Sequence, residues 1–297
     1  MAAPAGYSAR LMLAGMLLGL GASACWALAN VVVQRAGRAV GALRGLLWAQ
    51  VIGVALSALG AIAFDDRSAP FSAATAGWVA VAGVSALLAY VCLFYAFEHG
   101  RLTLAVPIMS SWAVIASASS FVLFHERLTG GELVGAAAVI AGAVVVARHA
   151  QRTEPSARGT QPRWLLASIG AAIGFGVLIP AMRRMSPVFG SVGTIGAVYL
   201  ADLVLALPLA IGFRINLAPP RGRAWLPVFL AGFFETAGSV CIVLGARSAP
   251  LAVVSPLASL AAAFTVAYAW AILGERPSRG VLVGGLLVSA GVVVLAL

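Results

Sequence analysis

The chain has 297 residues, of which 62% are apolar and 9% charged, and its mean hydropathy is +1.03. Soluble domains carry roughly a quarter charged residues, so this composition excludes a soluble globular domain and is typical of an integral membrane protein. The net charge of +10 also fits a nucleic-acid-binding protein, but every basic residue is an arginine, and nearly all lie between apolar runs. Arginines at such positions set membrane topology, so we expect no nucleic-acid partner.

Ten apolar runs of 17 to 23 residues follow one another along the chain. Each run is long enough to cross a hydrocarbon core of about 30 Å as a helix. The runs do not alternate with polar residues, so they predict helices and not barrel strands. We therefore expect an all-α membrane protein with ten transmembrane helices and the lipid bilayer around them. The predicted spans are 11–33, 42–63, 75–97, 102–123, 131–147, 163–182, 192–213, 224–246, 251–273 and 279–297.

Nearly the same sequence occurs twice, as FHERLTGGELVGAAAVIAG at 124–142 and as LGERPSRGVLVGGLLVSAG at 273–291. The copies are 149 positions apart, about half of the chain, and other residues keep this offset without a gap. This predicts a duplicated five-helix unit: a first repeat at 1–148, a linker at 149–163 and a second repeat at 164–297. Because five is odd, the second repeat enters the membrane upside down, as an inverted repeat. The matched positions are Gly83 with Gly232, Val91–Cys92 with Val240–Cys241, Pro107 with Pro256, Ser110 with Ser259, Glu126–Arg127 with Glu275–Arg276, Gly135 with Gly284, and Gly142 with Gly291.

The first span resembles a secretion signal, because Arg10 precedes an apolar stretch and the small residues GASAC. However, Gly21–Ala22 and Trp26 match Gly170–Ala171 and Phe175 at the same offset of 149. We therefore expect residues 11–33 to remain in the protein as a working helix.

Two segments resemble the drug/metabolite transporter superfamily with paired EamA-like domains. They run from AVPIMSS through HERLTGGELVGAAAVIAG and from VVSPLAS through GERPSRGVLVGGLLVSAG, and the resemblance extends over essentially the whole chain. It implies ten helices, a central cavity lined mainly by the first four helices of each repeat, and secondary export or exchange of small metabolites. One departure is His125, where the second copy has Gly274 and the family pattern has glycine.

The repeated loop acids, Glu126 and Glu275, have two interpretations. They are gate elements, or they accept hydrogen bonds from the free N–H groups that open the next helix and pair with the adjacent arginine. The glycines that follow have GxxxG spacing, Gly131 with Gly135 and Gly280 with Gly284, which favours close helix packing. This packing occurs within one chain or between two chains, so the sequence leaves a monomer and a homodimer open.

Two proline–serine pairs, Pro107 with Ser110 and Pro256 with Ser259, lie at equivalent places in the two repeats. A proline frees a carbonyl one turn back, and a nearby hydroxyl either satisfies it or faces a ligand in a cavity wall. Further polar and aromatic groups at similar depth are candidates for substrate contact, with ordinary packing as the alternative: Trp26, Asn30, Tyr90, Ser111, Trp112 and Phe175.

Two acids stand apart from the loop charges, since Asp202 and Glu235 each lie about halfway along a predicted helix. An ionised carboxylate at mid-membrane costs about 2.5–3.5 kcal/mol on insertion scales, so such residues are usually functional. Gly232, Gly238 and Ser239 share the helical face of Glu235, which indicates that this face points inward. A proton or a cationic group of a substrate is the expected partner. The alternative is a protonated acid that donates to a backbone carbonyl.

The leading hypothesis is an exporter or exchanger of small metabolites, amino-acid-like solutes or drugs in the cytoplasmic (inner) membrane, either proton-coupled or facilitative. A non-transporting scaffold or sensor and an intramembrane enzyme are the alternatives. The sequence contains no HExxH or GxSxG motif, so we expect no catalytic residue, cofactor or metal. The arginine distribution favours termini on the outer side. The three histidines fall at helix ends and the three cysteines within spans, where packing is their expected role: His99, His125, His149, Cys25, Cys92 and Cys241.

Overall fold

A computed structural model describes residues 9–65, 69–124, 129–153, 163–249 and 251–295. The predicted all-α class with ten membrane helices is confirmed. Within these ranges, eight helices are long and apolar enough to cross a membrane, and two apolar helices are shorter. In chain order the elements are α1 Ala9–Val40, α2 Ala42–Phe64, α3 Ala73–His99, α4 in two segments (Leu102–Met109 and Trp112–Phe124), α5 Gly130–Thr153, α6 Arg163–Phe189, α7 Ser191–Gly212, α8 Trp225–Ser248, α9 in two segments (Leu251–Ala258 and Ala261–Leu273) and α10 Arg279–Leu295.

Several helices continue past the apolar runs that predicted them. Helix α1 ends at Val40 and not near residue 33, and α5 continues to Thr153, inside the stretch interpreted as a linker. Helical hydrogen bonding does not stop where the apolar residues stop. The turns after α1 and α6 instead contain Gly41 and Gly190, with φ of 84° and 77°, a conformation that favours glycine. These two glycines are 149 positions apart, so both repeats use the same turn.

Helices α4 and α9 are each interrupted near their middle, and at both breaks side-chain hydroxyls donate to backbone carbonyls. In α4, the hydroxyls of Ser110 and Ser111 donate to the carbonyls of Val106 and Ile108, at 2.9 and 2.7 Å. These serines are therefore bonded to their own helix. In α9, the hydroxyl of Ser23 on α1 donates across the interface to carbonyls of Leu257 and Ala258 at the break. The side chain of Pro256 lies outside the described part of the chain.

Helices α5 and α10 pack against each other through their glycines and run antiparallel. A Cβ atom built on Gly135 would lie 2.8 Å from the carbonyl oxygen of Gly291, and one built on Gly142 would lie 2.5 Å from that of Gly284. The earlier glycine of one helix thus meets the later glycine of the other. Equivalent helices that cross in opposite directions confirm the inverted repeat. Gly135 and Gly284, of the GxxxG pairs, are used inside one chain.

The remaining interfaces repeat in pairs. The contacts of α1 with α8 and of α3 with α6 are among the most extensive in the molecule, and the offset of 149 converts one interface into the other. At these interfaces a Cβ on Gly21 would lie 3.7 Å from the sulfur of Cys241, and a Cβ on Gly170 would lie 2.9 Å from that of Cys92. The cysteines are free thiols at helix crossings, as expected of small packing residues.

Candidate functional site

The centre of the molecule is the crossing of α2 and α7, the second helices of the two repeats. Gln50 bonds to Asp202, and one turn further along α2 a Cβ on Gly53 would lie 2.6 Å from the ring of Tyr199. The offset of 149 converts the first contact into the second, so both lie beside the pseudo-two-fold axis. Because Gly53 has no Cβ atom, the ring of Tyr199 fits against α2 at this point. At the equivalent point, the amide of Gln50 meets the acid of Asp202.

Asp202 is a fully buried acid at this crossing. Its exposed fraction is 0%, and its Oδ2 accepts a hydrogen bond from the side-chain amide of Gln50, which is 4% exposed. Within the described residues its other oxygen, Oδ1, has no hydrogen-bond partner. A buried acid with one unpartnered oxygen retains a place for a proton or a cation.

Glu235 lies on α8 and faces the first repeat across the central interface. Its Oε1 is 3.4 Å from the hydroxyl of Tyr90 on α3, which is the donor in this contact. The ring of Tyr90 packs edge-on against Phe175 and Tyr199, with ring centroids 5.2 and 6.1 Å apart. Ser239, one turn after Glu235, donates to the Glu235 carbonyl at 3.0 Å.

A small cavity of about 20 Å³ opens onto Glu235, which is room for one or two waters. The space beside Glu235 is therefore about the size of a water molecule. Among the described residues, its lining contains one carboxylate and no arginine or histidine. The lining is contributed by both repeats: Asn30, Val33, Leu46, Ala49, Gln50, Gly53, Tyr90, Leu93, Phe94, Tyr199, Ala231, Gly232 and Glu235.

The other candidate residues divide into those beside this cavity and those away from it. Asn30 lines the cavity while its side-chain amide donates to Thr265 on α9 at 2.9 Å. Phe175 contacts the ring of Tyr90 edge-on. Trp26 packs on Gly238, where a Cβ would lie 2.7 Å from the indole ring. The residues at the two helix breaks are not in the lining: Ser110, Ser111, Trp112 and Ser259.

Comparison with known proteins places this architecture in a family. A family model for EamA-like transporters matches residues 13–148 and again residues 162–297, one match for each repeat. The chain belongs to the EamA-like transporter family. It is therefore a multi-pass membrane protein of the drug/metabolite transporter type. No curated protein sequence matches it significantly.

A solved structure, titled only as the crystal structure of a protein, shares the fold of this EamA-like chain. The TM-score is 0.62 at 20% sequence identity, and the match covers 94% of this chain and 95% of the other. At that identity the likeness concerns the fold alone. The ten-helix arrangement of the EamA-like repeats is thus shared over nearly the full length of both chains.

Two loop acids of this EamA-like chain, Glu275 and Asp65, cap helices in the described structure. Helix α4 begins at Leu102 and Thr103. Glu275 accepts hydrogen bonds from their backbone N–H groups at 3.2 and 3.0 Å. The predicted capping role is thus observed, but at the fourth helix of the other repeat and not at the next helix. Glu126 lies outside the described residues. At the opposite end of the molecule, Asp65 accepts from the N–H groups of Val192 and Gly193, at the start of α7.

Gln50 and Tyr199 line the cavity of this EamA-like chain, and the sequence interpretation missed both as candidates. Both carried a signal, because Gln50 is an amide inside an apolar run and Tyr199 precedes Asp202 by nearly one helical turn. The two are also 149 positions apart, so the repeat itself aligns them. Phe94 was missed because a phenylalanine in a membrane helix has no feature that separates lining from packing.

Proposed function

We propose that the chain is a secondary transporter of small solutes in the cytoplasmic membrane. In this proposal it exports or exchanges metabolites, amino-acid-like solutes or drugs by alternating access and couples their movement to protons. The observation that carries the proposal is the position of Glu235. Its carboxylate lines a cavity between two inverted repeats, and such repeats exchange conformations around a central site.

Proton coupling is assigned to Glu235 because of the groups that face it. Helix α3 presents the hydroxyl of Tyr90, and α7 presents Tyr199, with Asp202 one turn away. Helix α1 contributes the uncharged Asn30 to the same lining. With no arginine or histidine in the described lining, neutralisation of the Glu235 carboxylate requires a proton or a cationic solute.

The test uses Glu235→Gln, which has the shape of the protonated acid and cannot release a proton. Purified wild-type and variant chains are placed in proteoliposomes, and uptake of radiolabelled phenylalanine, phenethylamine, putrescine, glucose and uridine is measured with and without an imposed pH gradient. We expect the wild type to accumulate at least one solute only under the gradient. The variant should lose this accumulation while downhill exchange of the same solute persists.

Glu132→Gln is the matched control, because Glu132 lies at the start of α5, away from the cavity, where it accepts an exposed hydrogen bond from the N–H of Thr129. It should transport as the wild type does. If Glu235→Gln retains wild-type gradient dependence, Glu235 is not the proton site. If the wild type moves none of the five solutes, the transporter proposal for these solute classes is refuted.

A further inference from the structure

The described lining of the cavity contains an acidic side chain and no basic one. Its only charged lining group among the described residues is the Glu235 carboxylate. The arginines nearest to the ends of the central helices are engaged elsewhere. Arg38 and Arg44 donate to the loop carbonyls of Gly100 and Ala218, at 3.4 and 2.7 Å. Arg247 pairs with Asp65 at 3.4 Å. A solute carboxylate that entered this cavity would meet one fixed negative charge and no fixed positive charge.

Three of the four polar donor side chains of the lining are already engaged, and the fourth, the buried hydroxyl of Tyr199, has no hydrogen-bond partner among the described residues. The amide of Asn30 donates to Thr265, the amide of Gln50 donates to Asp202, and the hydroxyl of Tyr90 donates to Glu235. The last of these is the weakest by distance, since 3.4 Å is long for an O–H···O hydrogen bond, which is usually about 2.7–2.8 Å. The group that a solute replaces most readily is therefore the donor on Glu235, and a stronger donor to that carboxylate is a protonated amine.

Three aromatic rings complete the lining around the acid: Tyr90, Phe94 and Tyr199. The faces of such rings attract cations, and their surfaces pack against apolar bodies. A carboxylate beside aromatic rings recognises a positive charge that is attached to an apolar or aromatic group.

We propose that the central site selects organic amines that carry a single positive charge on an apolar or aromatic body and that lack a carboxylate. The amine donates to Glu235 in place of the Tyr90 hydroxyl, and the apolar body lies against the rings when the helices separate around the cavity. Zwitterionic amino acids of the same shape are disfavoured, because the described lining offers their carboxylate no positive charge and places it near the Glu235 carboxylate. The assignment rests on the proposed transporter function and names the solute class of the same site.

The test uses four probes that share a phenyl ring and differ in charge: phenethylamine (cation), phenylalanine (zwitterion), 3-phenylpropanoate (anion) and 2-phenylethanol (neutral). Binding to the purified full-length chain in detergent at neutral pH is measured by titration calorimetry. We expect phenethylamine to bind at least about tenfold more tightly than phenylalanine, a difference of roughly 1.4 kcal/mol. The anion should show no saturable binding.

Glu235→Gln should weaken phenethylamine binding by about tenfold or more and leave any binding of 2-phenylethanol unchanged. Glu132→Gln should bind as the wild type does. The comparison among probes on the wild-type chain holds even if the Glu235 variant does not fold. Phenylalanine binding that equals or exceeds phenethylamine binding overturns the assignment, and so does the absence of saturable phenethylamine binding.

Failure of the assignment is distinguishable from failure of the proposed function. If proteoliposomes accumulate phenylalanine, glucose or uridine while phenethylamine does not bind, the amine assignment is wrong and the transporter function stands. If phenethylamine binds and none of the solutes, phenethylamine included, is transported, the site binds amines and the transporter function is wrong.

Discussion

The interface between α5 and α10, called the seam below, contains the glycines Gly135, Gly142, Gly284 and Gly291. One methyl group added at this seam tests the packing of the two repeats quantitatively. In Gly142→Ala, the new Cβ would lie 2.5 Å from the carbonyl oxygen of Gly284 and 2.8 Å from the backbone N of Val288. Both are backbone atoms of the neighbouring helix, so the contact is relieved only if the helices separate. Gly77→Ala is the matched control, because Gly77 is exposed within α3 and a Cβ there would meet nothing within 4 Å.

The expected magnitude follows from the difference between the two variants. Replacing a mid-helix glycine by alanine stabilises a helix by about 1 kcal/mol, and both variants receive this gain. Only Gly142→Ala also has the cost of overpacking, about 1–3 kcal/mol. The difference in the free energy of unfolding is therefore about 1–3 kcal/mol. For a chain of this size, at about 2 °C per kcal/mol, the midpoint of thermal unfolding should differ by roughly 2–6 °C.

The assay is thermal unfolding of both variants in detergent, followed by tryptophan fluorescence, with size-exclusion chromatography of the same samples. Gly142→Ala should have the lower midpoint and elute as the wild type does. A midpoint at or above that of Gly77→Ala would refute the tight packing at this seam. A changed oligomeric state with an unchanged midpoint would place the glycines between two chains instead of within one.

The remaining predictions concern the helix caps and the topology. Asp65→Ala and Glu275→Ala each remove a carboxylate that accepts backbone N–H groups, so each should cost about 1.5–3 kcal/mol of unfolding free energy in the same thermal assay. Glu132→Ala, at an exposed cap, should cost about 1 kcal/mol or less, and equal losses in all three variants would contradict the structural ranking. Single cysteines at Thr129 and Ser278, in a cysteine-free chain, should be labelled by an impermeant reagent from opposite sides of the membrane. Labelling from one side would contradict the inverted repeat.

The arrangement of the helices could be predicted from the sequence because the glycines that determine helix packing occur in both repeats. Gly135 and Gly142 recur as Gly284 and Gly291, and the structure uses all four in one antiparallel seam. The ends of helices were harder to predict, because an apolar run marks the hydrocarbon core and not the last helical hydrogen bond. The turn at Gly41 was visible only as a glycine within a polar stretch.

The helix breaks show why a local pattern predicts only part of the structure. The hydroxyl of Ser110 donates to the carbonyl of Val106 four residues earlier, so the neighbouring sequence contains the whole interaction. At the equivalent break in α9 a donor is Ser23, 235 positions from the Ala258 carbonyl that accepts from it. The contact within α4 is readable from the spacing of the residues, whereas the contact between α1 and α9 is not.

The site differs from the scaffold because its chemistry does not repeat. The position equivalent to Glu235 is Ala86, and the position equivalent to Asp202 is Gly53, so each central acid occurs once in the chain. Alternating access requires that the helix interfaces of the two repeats exchange roles, and the repeated glycines meet this requirement. It does not require two copies of the binding groups. For the proposed transporter, a single acidic site on the axis is then presented to one side of the membrane and to the other in turn.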